Sequence, residues 1–494
     1  MPSVEEVFKE IEPRPGQMEV AQQLADLIAG GKRVLLTAPT GWGKTLVVLA
    51  ALRASEALPA AWLTRALALG EHIANEAAKM KLFAFVAAGR ERTCPLWETL
   101  GDAVYDLCRY TRYKCPYARL PAAVPVVADW KEMSKVAKNG GWCAYFAQDF
   151  VPCDICVQNY ERALRRPVRA YVIDECHNLA LPEEKTVTLA RLAESVAAIR
   201  AYASERLRSR LEALIRHILV RDGDLDARLI LNEEGIEELK RVYAELLVEN
   251  PEHAAAIRPL ITLVNATAAY VEAEKISVFR ARRALNFRPA VLLTATPLPL
   301  PMQTDVEINV EWGSRARAIV VSDVTTKFDE FTSGMVTKYK SLIVNLAKRF
   351  RRVLAVAASE RVARELRNWV TYEEVKPPPD WEGILMLRAR SRYSEGIDLP
   401  SDVVALLGAP YLPPEISTRL ARVYKTLGLE NAVRLAIDAP MLASTIQVVG
   451  RAWRDPAKPP LVVLADSRYT RYKEELRMLD IEECGLDELA RKLA

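Results

Sequence analysis

A glycine-rich segment between the apolar run 34–37 and an apolar stretch that begins at Leu46 has the residue types that bind the phosphates of a nucleotide. Such a loop needs backbone that can wrap phosphate, a lysine for the β and γ phosphates and a hydroxyl for Mg²⁺. The candidate residues are Ala38, Pro39, Thr40, Gly41, Trp42, Gly43, Lys44 and Thr45. We therefore predict an ATP-binding loop with Lys44 and Thr45 as catalytic residues. Ala38 replaces the usual first glycine, and Trp42 must point away from the nucleotide.

Two adjacent carboxylates, Asp174 and Glu175, follow the apolar run 171–173. At the end of a buried strand the first carboxylate can hold Mg²⁺ and the second can polarise the attacking water. An isolated Asp-Glu pair is often only an exposed acidic turn, but this pair shares a chain with a phosphate-binding loop. We predict that Asp174 and Glu175 are catalytic.

A third candidate set lies near the C-terminus, where Gln447 precedes the two arginines Arg451 and Arg454. Two arginines three apart on a helix share a face, and guanidinium groups can stabilise charge on a transferring phosphoryl group. Taken alone, such a run is typical of a solvated helix face. Beside the other two sets it predicts that Gln447, Arg451 and Arg454 take part in ATP hydrolysis, the arginines as arginine fingers.

Six of the eight cysteines lie between Cys94 and Cys156, and the chain has only four histidines. In a cytoplasmic protein such clustering indicates metal or redox chemistry before it indicates disulfides. The nearest histidines, His72 and His177, lie outside the cluster, which argues against a zinc site built on histidine. The stretch 94–143 also lacks sustained periodicity, so it needs a cofactor or a crosslink for stability.

The chain has 494 residues, more than one hydrophobic core usually fills, so we expect two or more domains. Half of the residues are apolar and 27% are charged, which is typical of a packed soluble protein and excludes a largely disordered one. No apolar run approaches the ~20 residues that span a bilayer, and the N-terminus lacks a signal pattern. We expect a cytoplasmic protein without membrane contact. The net charge of +4 means that any nucleic-acid site must come from locally concentrated Lys and Arg.

Several short apolar runs are each followed by a helix-like segment, which is the rhythm of parallel βαβ units. The clearest six runs lie at residues 34–37, 171–173, 291–294, 353–356, 403–407 and 461–464. The first three are separated by long insertions and the last three are closer together, which predicts two α/β domains. Between residues 183 and 285 the apolar residues recur three and four apart, which predicts a helical insertion.

In this order the motifs resemble those of superfamily 2 helicases, and in detail they resemble the XPD family of iron-sulfur DNA helicases, to which DinG is related. The acidic motif Asp174-Glu175-Cys176-His177 has the variant that this family carries. Further segments at family positions are Arg14-Pro15-Gly16-Gln17, Thr294-Ala295-Thr296-Pro297, Ser394-Glu395-Gly396-Ile397-Asp398, Gly408-Ala409-Pro410-Tyr411-Leu412-Pro413 and Asp466-Ser467-Arg468-Tyr469. The resemblance implies that Gln17 contacts adenine, and that Gly396 and Asp398 contact nucleotide and DNA. The chain departs from the family at Thr64-Arg65, where Arg65 can still meet a phosphate.

The resemblance extends to the cysteines. The family's cluster domain begins with a Gly-Arg-x-x-x-Cys pattern, found here at residues 89–94, and its last ligand precedes an aromatic pair, as Cys143 does. This implies a 4Fe-4S cluster held by Cys94, Cys108, Cys115 and Cys143. Four thiolates also suit zinc, so that alternative stays open. Cys153 and Cys156 form a rival Cys-x-x-Cys pair, which we interpret as small buried hydrophobic residues on a strand.

By the same resemblance the fold class is α/β, with two RecA-like motor domains and two insertions in the first. Motor domain 1 is expected to comprise residues 1–92, 145–182 and 284–312, and motor domain 2 residues 313–494. The iron-sulfur cluster domain is expected at residues 93–144 and a helical arch domain at residues 183–283.

The resemblance implies an ATP-dependent DNA helicase that uses ATP and Mg²⁺, moves 5′ to 3′ on single-stranded DNA and separates forked DNA, in DNA repair. We expect a monomer that works with repair-protein partners. Two alternatives stay open: an ATP-driven translocase or remodeller of nucleic-acid complexes without robust unwinding, and a non-hydrolysing nucleic-acid-binding scaffold. The combined presence of Lys44, Glu175 and Arg451 argues against the scaffold, which has no need of all three.

Overall fold

Two α/β units and two inserted segments make up the chain in the computed structural model. The described residues are 3–9, 11–39, 41–65, 67–101, 103–110, 112–162, 166–180, 183–280, 287–296, 303–311, 315–366, 378, 380–391, 399–426, 428–453, 455 and 457–493. The strands in these residues are β1 Arg33–Thr37, β2 Ala60–Thr64, β3 Ala84–Val86, β4 Ile155–Asn159, β5 Ala170–Ile173, β6 Glu183–Thr188, β7 Gly223–Leu225, β8 Ala268–Glu272, β9 Lys275–Arg280, β10 Ala290–Thr294, β11 Val306–Asn309, β12 Ala316–Val321, β13 Arg352–Ala357, β14 Gly383–Arg388, β15 Val403–Leu407, β16 Leu461–Ala465 and β17 Leu479–Cys484.

Helices cover the sheets and build most of the inserted segments. In the described residues they are α1 Val4–Phe8, α2 Gln17–Ala29, α3 Lys44–Ala54, α4 Ala68–Lys79, α5 Arg90–Thr93, α6 Trp97–Leu100, α7 Ala103–Tyr110, α8 Trp130–Gly140, α9 Ala144–Ala147, α10 Leu189–Ile199, α11 Glu205–Val220, α12 Ala227–Glu249, α13 Pro251–Val264, α14 Ser333–Ala347, α15 Glu360–Glu365, α16 Pro414–Thr426, α17 Ala432–Ala452 and α18 Leu486–Leu493. Short 3₁₀ turns lie at Arg112–Lys114, Gln148–Phe150, Cys176–Ala180 and Ser467–Arg471.

The first α/β unit is built on a seven-stranded sheet in the order β11-β1-β10-β5-β2-β4-β3, and its neighbouring strands are parallel. Its strand β1 is apolar on both faces. In β1, Val34 and Leu36 pack in one core cluster, and Leu35 packs in another on the opposite face. Burial on both faces explains why such strands appear in the sequence as continuous apolar runs instead of alternating patterns.

The second α/β unit has a six-stranded parallel sheet in the order β14-β13-β15-β16-β12-β17. Core clusters again cover both faces of this sheet. All six apolar runs named from the sequence are strands, three in each sheet. The expected α/β fold class with two parallel-sheet units is therefore confirmed.

The cysteine-bearing segment, residues 89–147, leaves the first unit after β3 and returns to it before β4. Its helices are short, as expected for a stretch with little periodicity. The side-chain amide of Gln148 accepts a hydrogen bond from the backbone amide of Ala88 at 2.8 Å and donates to the carbonyl of Ala88 at 3.3 Å. Because Ala88 and Gln148 stand at the entry and the exit of the segment, this pair holds its two ends together.

The helical segment, residues 183–280, lies between β5 and β10 and contains α10–α13. It also contains an antiparallel four-stranded sheet in the order β6-β9-β8-β7, which the sequence analysis did not predict. These strands are short and partly polar, and the β8–β9 turn includes Ala273 at a φ of 53°. Such strands lack the long apolar run that identifies a buried parallel strand, so the helical periodicity of their surroundings dominated the prediction.

The helical segment also packs on the second α/β unit. Phe279 of β9 is buried with Leu420, Val423 and Tyr424 of α16 in one hydrophobic cluster. At the rim, the guanidinium of Arg419 donates to Ser277 Oγ at 2.9 Å and forms an ion pair with Glu272. The helical segment, which is inserted in the first unit, therefore also contacts the second unit.

Helix α17 is, among the described residues, the one helix long and apolar enough to cross a membrane. Within its most apolar stretch, 61% is buried inside the protein. Met441, Ile446 and Val449 pack in the core of the second unit, so α17 has the environment of a core helix.

A buried carboxylate joins three loops at the carboxyl edge of the second sheet. Asp466, which follows β16, accepts hydrogen bonds from the Thr326 amide at 2.9 Å and from Arg468 Nη2 at 2.7 Å. It also accepts a bond from the amide of Ala409, which follows β15. Burial alone would raise the pKa of Asp466, but the hydrogen bonds and the charge of Arg468 outweigh burial and hold the pKa below its usual value. The ionised carboxylate therefore stabilises this edge.

We expect Asp466→Ala to lower the free energy of unfolding of the second unit by about 3–5 kcal/mol, because it leaves the Arg468 guanidinium partly buried without its partner. Chemical denaturation at pH 7 measures the loss. Since the folded pKa of Asp466 is lowered, the contribution is present above pH ~4 and should disappear as the pH falls further. The control Asp480→Ala, at an exposed position of β17, should change the stability by less than about 0.5 kcal/mol. Equal effects of the two substitutions would contradict this account.

Candidate nucleotide site and its neighbours

Three adjacent parallel strands bring the predicted catalytic residues to one edge of the first sheet. In the order β1-β10-β5, each strand ends at this edge, so the phosphate-binding loop, the segment after Thr294 and the pair Asp174-Glu175 follow one another across it. The carboxyl edge of a parallel sheet is where ligands of open α/β folds bind. Sequence positions more than a hundred residues apart thus share one surface.

The phosphate-binding loop leads from β1 directly into α3, which begins at Lys44. Gly41 and Gly43 have φ values of 83° and 99°, a region that favours glycine. The Lys44 ammonium donates hydrogen bonds to the carbonyls of Ala38 at 2.8 Å and Pro39 at 3.0 Å. The lysine is therefore held across the loop, and Thr45 lies in the first turn of the helix where amides and hydroxyl face an anion.

Gln17 forms hydrogen bonds that hold the backbone of this loop. Its buried side chain donates to the carbonyl of Trp42 and accepts a bond from the Arg14 amide at 2.8 Å. Arg14 in turn donates to the carbonyl of Gly41. The Trp42 ring is only 3% exposed and packs in the core, so it points away from the loop surface. Two side chains upstream of β1 thus set the path of the loop backbone.

The acidic pair follows β5. Burial, and next the charge of Glu175, raise the pKa of Asp174 to about 6, while the nearby Lys44 lowers it. The Trp62 indole donates to Asp174 Oδ2 at 3.4 Å. The Tyr160 hydroxyl donates to the carbonyls of Asp174 and Glu175. Asp174 is thus a half-buried carboxylate close to the Lys44 ammonium, a placement that suits the predicted Mg²⁺ ligand.

His177 connects the acidic pair with the next strand. Its Nδ1 lies 3.3 Å from Glu175 Oε2 and 3.0 Å from Thr294 Oγ1. Thr294 Oγ1 also accepts a bond from the Thr296 amide at 2.9 Å. A change in the charge or position of Glu175 can therefore affect the segment after β10 through the imidazole of His177. The sequence analysis assigned no role to His177, although its place in the acidic motif and the scarcity of histidine were visible.

Two further predicted residues of the nucleotide site, Gln447 and Arg451, lie in the second unit. Gln447 and Arg451 are half-buried and one turn apart on α17, and the carbonyl of Arg451 accepts a hydrogen bond from Leu399. Both therefore belong to the unit that does not contain the phosphate-binding loop. The predicted residues Thr40, Gly396, Asp398 and Arg454 lie outside the described residues.

The four predicted cluster cysteines come from different elements of the cysteine-bearing segment. Cys94 ends α5, Cys108 lies on α7, Cys115 follows a 3₁₀ turn and Cys143 precedes α9. Burial is the largest cause that raises the pKa of Cys94 to about 11, and the other three thiols add to it. The four thiols are thus neighbours, although no three Cys, His, Asp or Glu side chains of the described residues are close enough to hold a metal ion as placed.

Cationic and aromatic side chains surround this thiol group. Cys108 packs against Cys143, Tyr145 and Phe146. The Arg90 guanidinium lies 4.0 Å from the centre of the Tyr145 ring, and that of Arg112 lies 3.6 Å from the centre of the Phe146 ring. The charge of Arg112 lowers the pKa of Cys115, but burial outweighs this effect and the pKa of that thiol is raised.

Gly43→Ala should weaken ATP binding about tenfold or more. A Cβ at this position would lie 2.3 Å from Gln17 Nε2, and the φ of 99° is strained for alanine. Titration with a fluorescent ATP analogue measures the change. The matched control is Gly31→Ala, with a φ of 71° and no atom within 4 Å of the added carbon. A similar loss of ATP affinity in both variants would show that the contact with Gln17 does not shape the loop.

Comparison with known proteins is consistent with this geometry. A helicase C-terminal domain matches residues 340–480. Among curated protein sequences none matches the chain. A solved XPD helicase has a TM-score of 0.65 at 17% identity over 96% of this chain and 100% of that one. Xpd4 of S. tokodaii has a TM-score of 0.62 at 18% identity over 95% of this chain and 100% of that one.

The similarity to these structures spans nearly the whole chain, including the two inserted segments, whereas the domain match lies in the second α/β unit. The identities are low, so the structures show the fold. The chain therefore has the fold of the solved XPD helicases, and its second α/β unit contains a match to a helicase C-terminal domain.

Proposed function

We propose that the chain is an ATP-dependent DNA helicase that moves 5′ to 3′ on single-stranded DNA and separates forked DNA during DNA repair. The observation that carries the proposal is the assembly of Lys44, Asp174 and Glu175 at one sheet edge of a chain with the XPD fold. Direction, DNA specificity and the repair setting rest on the family resemblance of the motifs. The protein would act as a monomer with repair-protein partners.

The hydrolysis step follows from the residues of the sheet edge. Lys44 and Thr45 would bind the phosphates and Mg²⁺ of ATP, with Asp174 completing the Mg²⁺ site. Glu175 would polarise a water that attacks the γ phosphorus, so that the bond to the β–γ bridging oxygen breaks and ADP and phosphate leave. Gln447, Arg451 and Arg454 would approach from the second unit and stabilise the charge that develops on the phosphoryl group.

His177 would couple the hydrolysis of ATP to the movement of single-stranded DNA. Its contacts with Glu175 and Thr294 join the water-polarising carboxylate to the segment after β10. Loss of the γ phosphate would change the charge near Glu175, and the imidazole would pass that change to Thr294. Alternating closure and opening of the two units would then move single-stranded DNA along the sheet edges, with phosphate contacts providing most of the affinity.

The two inserted segments meet each other, which suits them to enclose a single strand. Asp106 of α7 accepts hydrogen bonds from the Tyr243 hydroxyl of α12 and from Arg258 Nε of α13 at 3.1 Å. The side chain of Arg258 is 16% exposed and that of Asp106 is 19% exposed, so water screens this ion pair only in part. A strand that passed between the segments and the first unit would be kept from leaving sideways.

The cysteine-bearing segment fits a 4Fe-4S cluster held by Cys94, Cys108, Cys115 and Cys143. Burial raises the pKa of Cys94, Cys115 and Cys143, and neighbouring thiols raise each pKa further, so several thiolates are unfavourable together without a cation. A bound cluster supplies that cation and a crosslink between short helices. Zinc on the same thiols is the rival, and metal analysis distinguishes the two.

Strand separation by the full-length protein tests the proposal. Protein purified without oxygen is assayed for iron and sulfide, and then for unwinding of duplexes with either a 5′ or a 3′ single-stranded tail in the presence of ATP and Mg²⁺. We expect unwinding of the 5′-tailed duplex alone. Hydrolysis stimulated by single-stranded DNA without unwinding would replace the proposal by a translocase. Binding without hydrolysis would replace it by a scaffold.

Lys44→Ala should abolish hydrolysis and unwinding and leave the fold intact, because it removes the ammonium that contacts the β and γ phosphates. The matched control Lys32→Ala removes an exposed lysine from the same unit and should keep both activities. Phosphate release and circular dichroism measure the two effects. Unchanged turnover in Lys44→Ala would refute the assignment of the phosphate-binding loop.

Asp106→Ala should reduce unwinding several-fold more than it reduces ATP hydrolysis, because it breaks the contact between the inserted segments and leaves the nucleotide site untouched. The control Glu98→Ala removes an exposed carboxylate from the same segment. The charge swap Asp106→Arg with Arg258→Asp should restore part of the loss. Equal losses of unwinding and hydrolysis would argue against a role of this contact in holding DNA.

A further inference from the structure

Two cysteines outside the predicted cluster face each other at the start of β4. Their sulfur atoms, Cys153 Sγ and Cys156 Sγ, are 2.8 Å apart, within roughly 1 Å of the length of a disulfide bond. The backbone amides of Asp154 and Ile155 both donate to the carbonyl of Phe83, at 2.9 Å and 3.2 Å. Two successive amides on one acceptor indicate a bent chain. The bend lets residues three apart direct their side chains toward each other.

The two thiols have different surroundings. Cys156 is buried at 4% exposure, whereas Cys153 is only partly buried and receives a hydrogen bond from Arg166 Nη1 at 3.3 Å. The hydrogen bond with Cys156 lowers the pKa of Cys153, and Arg166 lowers it further, while that same bond and burial raise the pKa of Cys156. The pair thus joins a partly buried thiol of lowered pKa to a buried thiol of raised pKa. The sequence-based interpretation of both as buried hydrophobic residues describes Cys156 but not Cys153.

This arrangement differs from the thiol group of the cysteine-bearing segment. Cys153 packs against a hydrophobic cluster that includes Phe85, Val127 and Met133, and Cys143 belongs to another cluster with Tyr145 and Phe146. Among the described residues no third Cys, His, Asp or Glu side chain joins the pair in a group that could hold a metal ion. Two thiols in contact, beside a guanidinium and without further ligands, have the chemistry of a dithiol and not of a metal site.

We propose that Cys153 and Cys156 form a reversible disulfide by exchange with a low-molecular-weight disulfide, with Cys153 as the attacking sulfur. The Cys153 thiolate attacks one sulfur of the small disulfide and releases one small thiolate, which takes up a proton. Cys156 then loses its proton and attacks Cys153 Sγ in the mixed disulfide, which releases the second small thiol. The protein loses two electrons and two protons, and the small disulfide gains them.

Peptide mapping can observe this disulfide directly because Asp154 separates the two cysteines. A protease that cleaves before aspartate yields the peptides 129–148, 149–153 and 154–173, which carry Cys143, Cys153 and Cys156 one by one. Full-length protein is equilibrated without oxygen in buffers of reduced and oxidised glutathione, quenched in acid, unfolded, alkylated and digested without reduction. Mass spectrometry then reports which peptides are joined.

We expect peptides 149–153 and 154–173 to become joined as the proportion of oxidised glutathione rises, and to separate again on treatment with dithiothreitol. Peptide 129–148 should stay unlinked in the same samples. If Cys153 and Cys156 are alkylated as free thiols in every buffer, the proposal is wrong. A joined pair that includes Cys143 in place of either cysteine would overturn it equally.

Variants test the order of the two steps. Cys156→Ser should accumulate one glutathione on Cys153, whereas Cys153→Ser should leave Cys156 unmodified because that thiol is buried. Arg166→Met should slow the first step several-fold, since it removes the cation beside the thiolate. Glutathione attached faster to Cys156 than to Cys153 would contradict the assigned order. Peptide mapping of the unsubstituted protein still tests whether the disulfide forms, even if a variant fails to fold.

Discussion

The parallel register of β1, β10 and β5 is the constraint on which the rest of the structure depends. Val34 pairs with Val291, and Val291 pairs with Val172, so the three strands end together. A slip of one residue would turn each buried side chain to the other face of the sheet, which core packing on both faces forbids. The predicted phosphate-binding loop, the two carboxylates and Thr294 are therefore held at one edge by apolar contacts between the strands.

Polar contacts fix the positions of the residues that the strands bring to each sheet edge. Gln17 and Arg14 hold the loop backbone, the charge of Lys44 acts on the nearby Asp174, and His177 joins the acidic pair to Thr294. At the edge of the second sheet, Asp466 plays the corresponding structural part for its own loops. Buried charges of this kind are costly unless fully paired, so both edges place a strict demand on geometry. The inserted segments add a different element, because they contact each other through Asp106 and reach the second unit through Phe279.

Much of the fold was predictable because its signals are local. Six apolar runs identified six strands, since a strand buried on both faces has to be apolar throughout. The four strands β6–β9 were missed because they are short, partly polar and surrounded by helical periodicity. The positions of the predicted phosphate-binding loop and of the acidic pair at strand ends were predictable from the apolar runs that precede them. The bracing role of Gln17 and the bridging role of His177 were not, because both depend on partners that only the folded chain brings near.

The sequence by itself determined the α/β class, the division into two sheet-bearing units and the residue types that can bind and hydrolyse a nucleotide. The sequence determined these features because the burial of a strand and the chemistry of a loop depend on residues that are close together in the chain. The tertiary structure alone decided which distant residues meet: His177 with Thr294, Asp106 with Arg258, and Asp466 with Thr326. It also decided that Cys153 faces Cys156, because the chain bends at Asp154 and Ile155, whose amides both bind the Phe83 carbonyl. The spacing of the two cysteines alone was compatible with two separate buried side chains. Such contacts depend on sheet order and packing, which sum over the whole core and cannot be assigned to any one stretch of sequence.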